Sequence, residues 1–261
     1  MDGSRQTSNR KEEDLAPDAQ SAGALEFVVQ VERAYEALLA AGATDAAMGL
    51  GGKLFYAGEL DGEGRAQIVA ANIAGAASLA ATADRGAQKQ AVRDGIADFL
   101  VNSLDEALRI LKNQLRKREP VAVCVGLDPA AIESEMKERG VVPDLLRSDV
   151  MQAKHEGFEA QEQQLKWIMW TASPSPAQWL PKIDLIALES LCEETWQTRR
   201  WLRLAPRYLG RLAERFRVLH CNEADAARII ERIECATKSG EIGAKVALVS
   251  SMQAESLRSW K

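Results

Sequence analysis

The residues best suited to chemistry stand in one short string, Gly62-Glu63-Gly64-Arg65-Ala66-Gln67. Before it, KLFYAGEL (residues 53–60) reads as a strand. After it, residues 65–75 read as an alanine-rich helix that Gly75 is suited to end. A strand–glycine–helix junction binds anions because glycines let the backbone turn sharply and approach a ligand, while the helix N-terminus offers free N–H groups and partial positive charge. Gly62 and Gly64 fill the first two positions of the dinucleotide fingerprint G-x-G-x-x-G, and Gln67 stands at the third. Asp84 follows Gly64 by twenty residues, where an acid takes ribose hydroxyls. Two other readings use the same residues: a turn without a ligand, and Asp84 as a helix N-cap. The string predicts a small anionic or nucleotide ligand.

Other reactive residue types are sparse. His220-Cys221 invites a nucleophile reading, but neighbours on a strand point to opposite faces, so a structural role is expected. Two histidines and no acidic cluster at ligand spacing predict no protein-held metal. The four cysteines are scattered, with Cys124 inside an apolar run, so no disulfide framework is expected. Tryptophans 167, 170, 179, 196 and 201 are expected mainly to pack. The alternative is an exposed patch for a homodimer or a protein partner.

The elements that must position these residues alternate. Residues 25–41 show helical spacing ended by Gly42, and Gly49, Gly51 and Gly52 form a joint. After the glycine turn and its helix come a strand at 77–84, a helix at 85–94 and a strand at 98–101. A helix at 104–117 is capped by Asn102 or Ser103, with Glu106 in capping-box position. A strand at 121–126, a helix from Asp128-Pro129 to Arg139-Gly140 and a strand at 144–146 follow. The alternation predicts an α/β fold, a Rossmann-like parallel sheet with helices on both faces. The second half changes character: a helix at 150–170, a Pro/Ser loop at 171–181, Arg- and Trp-rich helices at 189–216, and strands at 217–221 and 245–250 around a helix at 223–236. It either adds strands to the same sheet or forms a mostly helical cover. The expected organisation is a disordered tail (1–22), a Rossmann-like unit (23–147) and an extension (148–261).

Composition excludes several classes. A net charge of −5 argues against nucleic acid, and the basic cluster at 112–118 sits where it complements a helix C-terminus. The longest uncharged run, 68–83, is short and rich in Ala and Gly, so no membrane span is expected. The N-terminus has no apolar signal core, which makes a cytoplasmic, reduced protein the default.

At the level of family, GKLFYAGELDGEGRAQ (52–67) resembles the strand and glycine turn of urocanase (urocanate hydratase). AGAASLAATAD (74–84), SLDEAL (103–108), PVAVCVG (120–126) and AAIESEMKERGVVPDLL (130–146) are similar to its next segments, in order. The resemblance implies the urocanase Rossmann-like domain, in which tightly held NAD serves as an electrophile. It implies cofactor contacts at Gly62, Glu63, Gly64, Arg65 and Gln67, with Thr82 or Asp84 at the acid position and Asp128 after the third long strand. There are departures from the family pattern. Thr82 replaces the family's acid, Ala87 its arginine, Asp128-Pro129 its Asn-Ala pair, and Arg147-Ser148-Asp149-Val150 its Thr-Asp-Gln-Thr-Ser-Ala-His-Asp stretch. The family's substrate lobe and C-terminal portion find no counterpart in the resemblance, and no catalytic residue carries over. Two functions follow: a nucleotide-binding protein with urocanate hydratase chemistry reduced or lost, or a non-catalytic binding or scaffold protein derived from that domain. A urocanase completed by a separate chain is a third. For the first, Gly64→Asp is expected to abolish NAD binding without unfolding the domain.

Overall fold

The computed structural model describes residues 19–42, 44, 46–161 and 165–259. The expected tail lies outside them up to residue 18, and residues 19–22 already belong to the first helix. The chain begins with α1 (Ala19–Ala41), then runs β1 (Leu54–Glu59), α2 (Gly62–Ala74), β2 (Ala77–Ala81), α3 (Arg85–Arg93), β3 (Phe99–Val101), α4 (Leu104–Lys117), β4 (Val121–Val125), α5 (Pro129–Glu138), β5 (Leu145–Leu146) and α6 (Arg147–Gln161). The five strands form a parallel sheet in the order β3-β4-β2-β1-β5.

Local chemistry sets the boundaries. The Asp61 carboxylate caps α2, and Gly75, left-handed at φ 97°, ends it. Ser103 caps α4 by accepting the Glu106 N–H, while the Glu106 carboxylate reaches past the cap to accept the N–H of Asn102, the residue before it. Strands β2 and β4 are buried throughout, as a parallel sheet covered on both faces requires. Side chains of Leu54, Tyr56, Leu79, Val121 and Val123 meet α4 and α5. On the other face, Phe55, Ala80, Ala122 and Cys124 meet α1, α2 and α6.

Beyond Gln161 the expectation of a helix to residue 170 is overturned. Leu165–Ser173 is β6, the central strand of a second, antiparallel sheet ordered β7-β6-β8, with β7 at Arg217–Asn222 and β8 at Lys245–Ser251. Trp167-Ile168-Met169-Trp170 are all buried. A strand covered on both faces loses its two-residue alternation, and its apolar run then looks like the end of a helix. The expected Pro/Ser loop is also shorter than anticipated, because Pro176 opens α7 (Pro176–Ser190), a position where its missing N–H costs nothing. The second half neither extends the first sheet nor forms only a helical cover: α7, α8 (Trp196–Leu209) and α9 (Glu223–Lys238) accompany a sheet of their own.

The two halves share a core that runs from α1 and α2 into β6, β7, α8 and α9. Tyr35 on α1 packs its ring 5.3 Å from that of Trp201 and donates to the carbonyl of Gln197 at 2.8 Å. Arg200 on α8 donates through Nε to the carbonyl of Ile73 at 2.9 Å, which satisfies the C-terminal end of α2.

Candidate functional site

Register brings the expected site residues to one edge of the parallel sheet. Glu59, Ala81 and Val125 are aligned across β1, β2 and β4, so the segments leaving those strands all emerge from the carboxyl edge. Ligands of open α/β sheets bind along this edge. Just before it β1 carries a bulge: Ala57 is the extra residue and Gly58 is left-handed at φ 68°.

The glycine turn is the first turn of α2, three residues earlier than the helix expected from residue 65. Its two glycines differ. A Cβ on Gly62 would meet nothing within 4 Å. A Cβ on Gly64 would overlap the carbonyl oxygen of Glu59, so Gly64 is required for the helix to sit against its own strand. Gly64→Asp therefore cannot report on a ligand alone, because it disrupts the fold first.

One first-turn amide of α2 is taken by the chain itself. Oδ1 of Asp61 accepts the Gly64 N–H at 2.7 Å. Arg147, at the start of α6, donates to Asp61 Oδ2 at 2.9 Å and Glu63 Oε2 at 3.4 Å, and its Nη1 to the Glu59 carbonyl at 3.3 Å. Lys154 Nζ lies 2.8 Å from Glu63 Oε1. Partial burial raises both carboxyls, but hydrogen bonds from Arg147 and the Gly64 N–H outweigh it for Asp61, and Lys154 and Arg147 outweigh it for Glu63. Both are held below the ordinary range. Gln67, fully buried, points its Nε2 toward Glu63 at 3.5 Å, and its Oε1 has no hydrogen-bond partner. Arg65 leaves the group, pairing instead with Asp94 at the end of α3.

The remaining expected residues serve local roles. Thr82 is buried, and its hydroxyl accepts the Asp84 N–H at 3.3 Å. Asp84 caps α3 through the Gly86 N–H at 2.7 Å, and Asp128 caps α5 through the Ala130 N–H at 2.9 Å. The N-cap alternative for Asp84 is the one found. Sequence reasoning missed Asp61, Arg147 and Lys154. Asp61 carried a signal, an N-cap residue type directly before a helix; the other two reach the turn from 86 and 91 residues away in sequence.

The pyrophosphate of a dinucleotide needs first-turn amides and a neutral or positive surrounding. Here an amide already binds a carboxylate, and Glu59, Asp61, Glu63, Asp84 and Asp128 share the edge with Arg147 and Lys154. As arranged, these residues do not fit a resident dinucleotide.

His220 and Cys221 point apart, as expected. The His220 ring stacks on Trp167 at 4.3 Å, with Nδ1 2.8 Å from Glu36 Oε1, and its backbone N–H donates to the buried Glu32. Burial pushes the thiols of Cys221 and Cys124 up, the latter to about 11, so neither is a ready nucleophile. Trp167, Trp170 and Trp201 are buried, while Trp179 and Trp196 pack against the core. Among the described residues no helix is long and apolar enough to cross a membrane.

A family model described as the urocanase Rossmann-like domain matches residues 30–160, half of the chain. The match starts within α1, takes in the whole parallel sheet and ends in α6, before β6.

Proposed function

The chain belongs to the urocanase family through its Rossmann-like domain, and from that premise we propose that it is a non-catalytic member whose glycine turn is closed by its own carboxylate rather than by NAD. One observation carries this reading: the Asp61 carboxylate on the Gly64 N–H, held there by Arg147. Magnitudes sharpen it. Displacing an N-cap costs about 1 kcal/mol and an exposed ion pair about 0–1 kcal/mol, so the closure alone is a weak barrier. The edge carboxylates that Arg147 and Lys154 do not neutralise, Glu59, Asp84 and Asp128, supply the larger one. A carboxylate at ~6 Å repels a phosphate by about 0.7 kcal/mol in a water-like medium and about 3 kcal/mol at an effective dielectric of 20. Several acting together cancel much of what the helix N-terminus offers. The departures at Thr82, Ala87 and Asp128 support the same reading, since each replaces a residue type that the family resemblance assigns to this edge.

A second reading, NAD-like binding with Asp61 swung aside, is favoured by the open space over Gly62. Calorimetric titration with NAD separates the two, together with a search for nucleotide released on denaturing the purified protein. No released nucleotide and no heat at millimolar NAD are expected. A released dinucleotide, or a Kd below about 100 μM (roughly −5.5 kcal/mol), overturns the proposal. Urocanate absorbance is expected to stay constant with the protein present; its steady loss would establish hydratase chemistry instead.

A further inference from the structure

Arg65 turns away from the glycine turn toward a cleft of about 870 Å³ on the outer side of α2. That volume lies in the range of ~300–1,000 Å³ typical of small-molecule sites. The wall belonging to the parallel-sheet unit comes from α1, α2 and the end of α3; the opposite wall is the segment 208–212 at the end of α8. The two halves of the chain thus make the cleft together.

Its lining separates by chemistry. Phe27, Val69, Ile96, Leu209 and Leu212 are its apolar lining residues, drawn from both walls. The charged lining residues are Arg65, Arg93 and Arg211 against Asp94 alone, a positive site on a chain of net charge −5. Asp94 is already engaged, by Arg65 and by the Gln90 side chain at 2.7 Å. Among the described residues, Arg93 donates only to the neutral Gln90 side chain, at 2.8 Å. Arg211 has no partner among the described residues, and the Tyr208 hydroxyl beside it makes no hydrogen bond there. Uncommitted guanidinium donors beside apolar side chains in one cleft are matched to an anion with a flat hydrophobic body.

We propose that this cleft binds a small organic dianion carrying an aromatic or similarly flat apolar group, with Arg211 and Arg93 holding the charge and the apolar lining residues holding the body. The site is separate from the carboxyl edge and does not depend on whether NAD binds there.

Calorimetry on the full chain at low salt tests this with four probes: phenyl phosphate, phthalate, inorganic phosphate and benzyl alcohol. Phenyl phosphate and phthalate distinguish a phosphate ester from a dicarboxylate; the other two lack the body or the charge. At least one of the two aromatic dianions is expected to bind with submillimolar Kd, at least tenfold tighter than inorganic phosphate or benzyl alcohol. Arg211→Ala and Arg93→Ala are each expected to weaken it at least tenfold, whereas Lys112→Ala, an equal charge loss on α4, leaves it unchanged. Both arginines are exposed and outside the cores, and thermal melts of the variants check that folding is retained. Absence of binding by both aromatic dianions, or unchanged affinity in Arg211→Ala, overturns the proposal.

Discussion

Two glycines one residue apart do different work, and the difference is measurable. Gly64 is squeezed between its helix and the carbonyl of Glu59, while Gly62 faces open space. Gly64→Ala is expected to cost about 3 kcal/mol or more, because the overlapping atom is backbone and cannot rotate away. Gly62→Ala should fall within about 0.5 kcal/mol of the parent. Urea unfolding of both variants checks this; equal stabilities would mean that α2 does not press on β1 at Gly64. A second residue-scale outcome concerns Asp184. Its carboxyl pairs with Arg217 Nε at 2.8 Å, yet burial outweighs that pairing and pushes it from 3.8 up to about 6. A carboxyl with a raised folded pKa binds its proton in the folded state first, so its contribution to stability falls as pH rises from about 4 to about 6. Between pH 7 and pH 5 the parent should gain about 1 kcal/mol relative to Asp184→Asn. A carboxyl carbon titrating near 4 by NMR would remove the basis for this. Asp61 and Glu63 have the opposite sign: their depressed values stabilise above the ordinary carboxylate range, and the gain is lost as pH falls below it.

At the scale of elements, the first half was legible because its signals are local. Ser103 with Glu106, Asp128 with Pro129, and Gly75 after an alanine-rich run each fix a helix end through contacts within a few residues. The five strands and their connecting helices therefore fall close to where the residues place them. The glycine turn was legible as a turn. Its state was not, because Arg147 and Lys154 reach it through tertiary packing of α6. In the second half β6 was hidden by its own burial, with Trp167 to Trp170 apolar on both faces. The docking of α8 on α2 was likewise invisible, although a directional contact holds it, Arg200 to the Ile73 carbonyl. Arg200→Met keeps much of the stem and removes the donor. It should cost about 1–3 kcal/mol, as expected when a half-buried carbonyl loses a charged partner. Unaltered stability by chemical denaturation would show that water replaces the guanidinium without loss.

At the scale of the whole molecule, the shared core decides how the two sheets behave. Tyr35, Ala70 and Ile73 from the first half lie in one apolar cluster with Trp201, Leu219 and Ile229 from the second. Separating the halves would expose this surface at roughly 25 cal/mol per Å², more than the marginal stability of a domain tolerates over several large side chains. The halves are therefore expected to unfold as one unit. The sequence supplies a test, because every tryptophan lies at residue 167 or later, whereas helix is spread over both halves. Tryptophan fluorescence reports on the second half alone and far-ultraviolet circular dichroism on the whole chain. The two probes should give coincident midpoints in urea. A fluorescence transition clearly preceding the loss of helix would mean that the parallel-sheet unit stands without its partner. The cleft at Arg65, Arg93 and Arg211 would then be assembled only when the halves dock, and anion binding in it would raise the fluorescence midpoint before the circular-dichroism one.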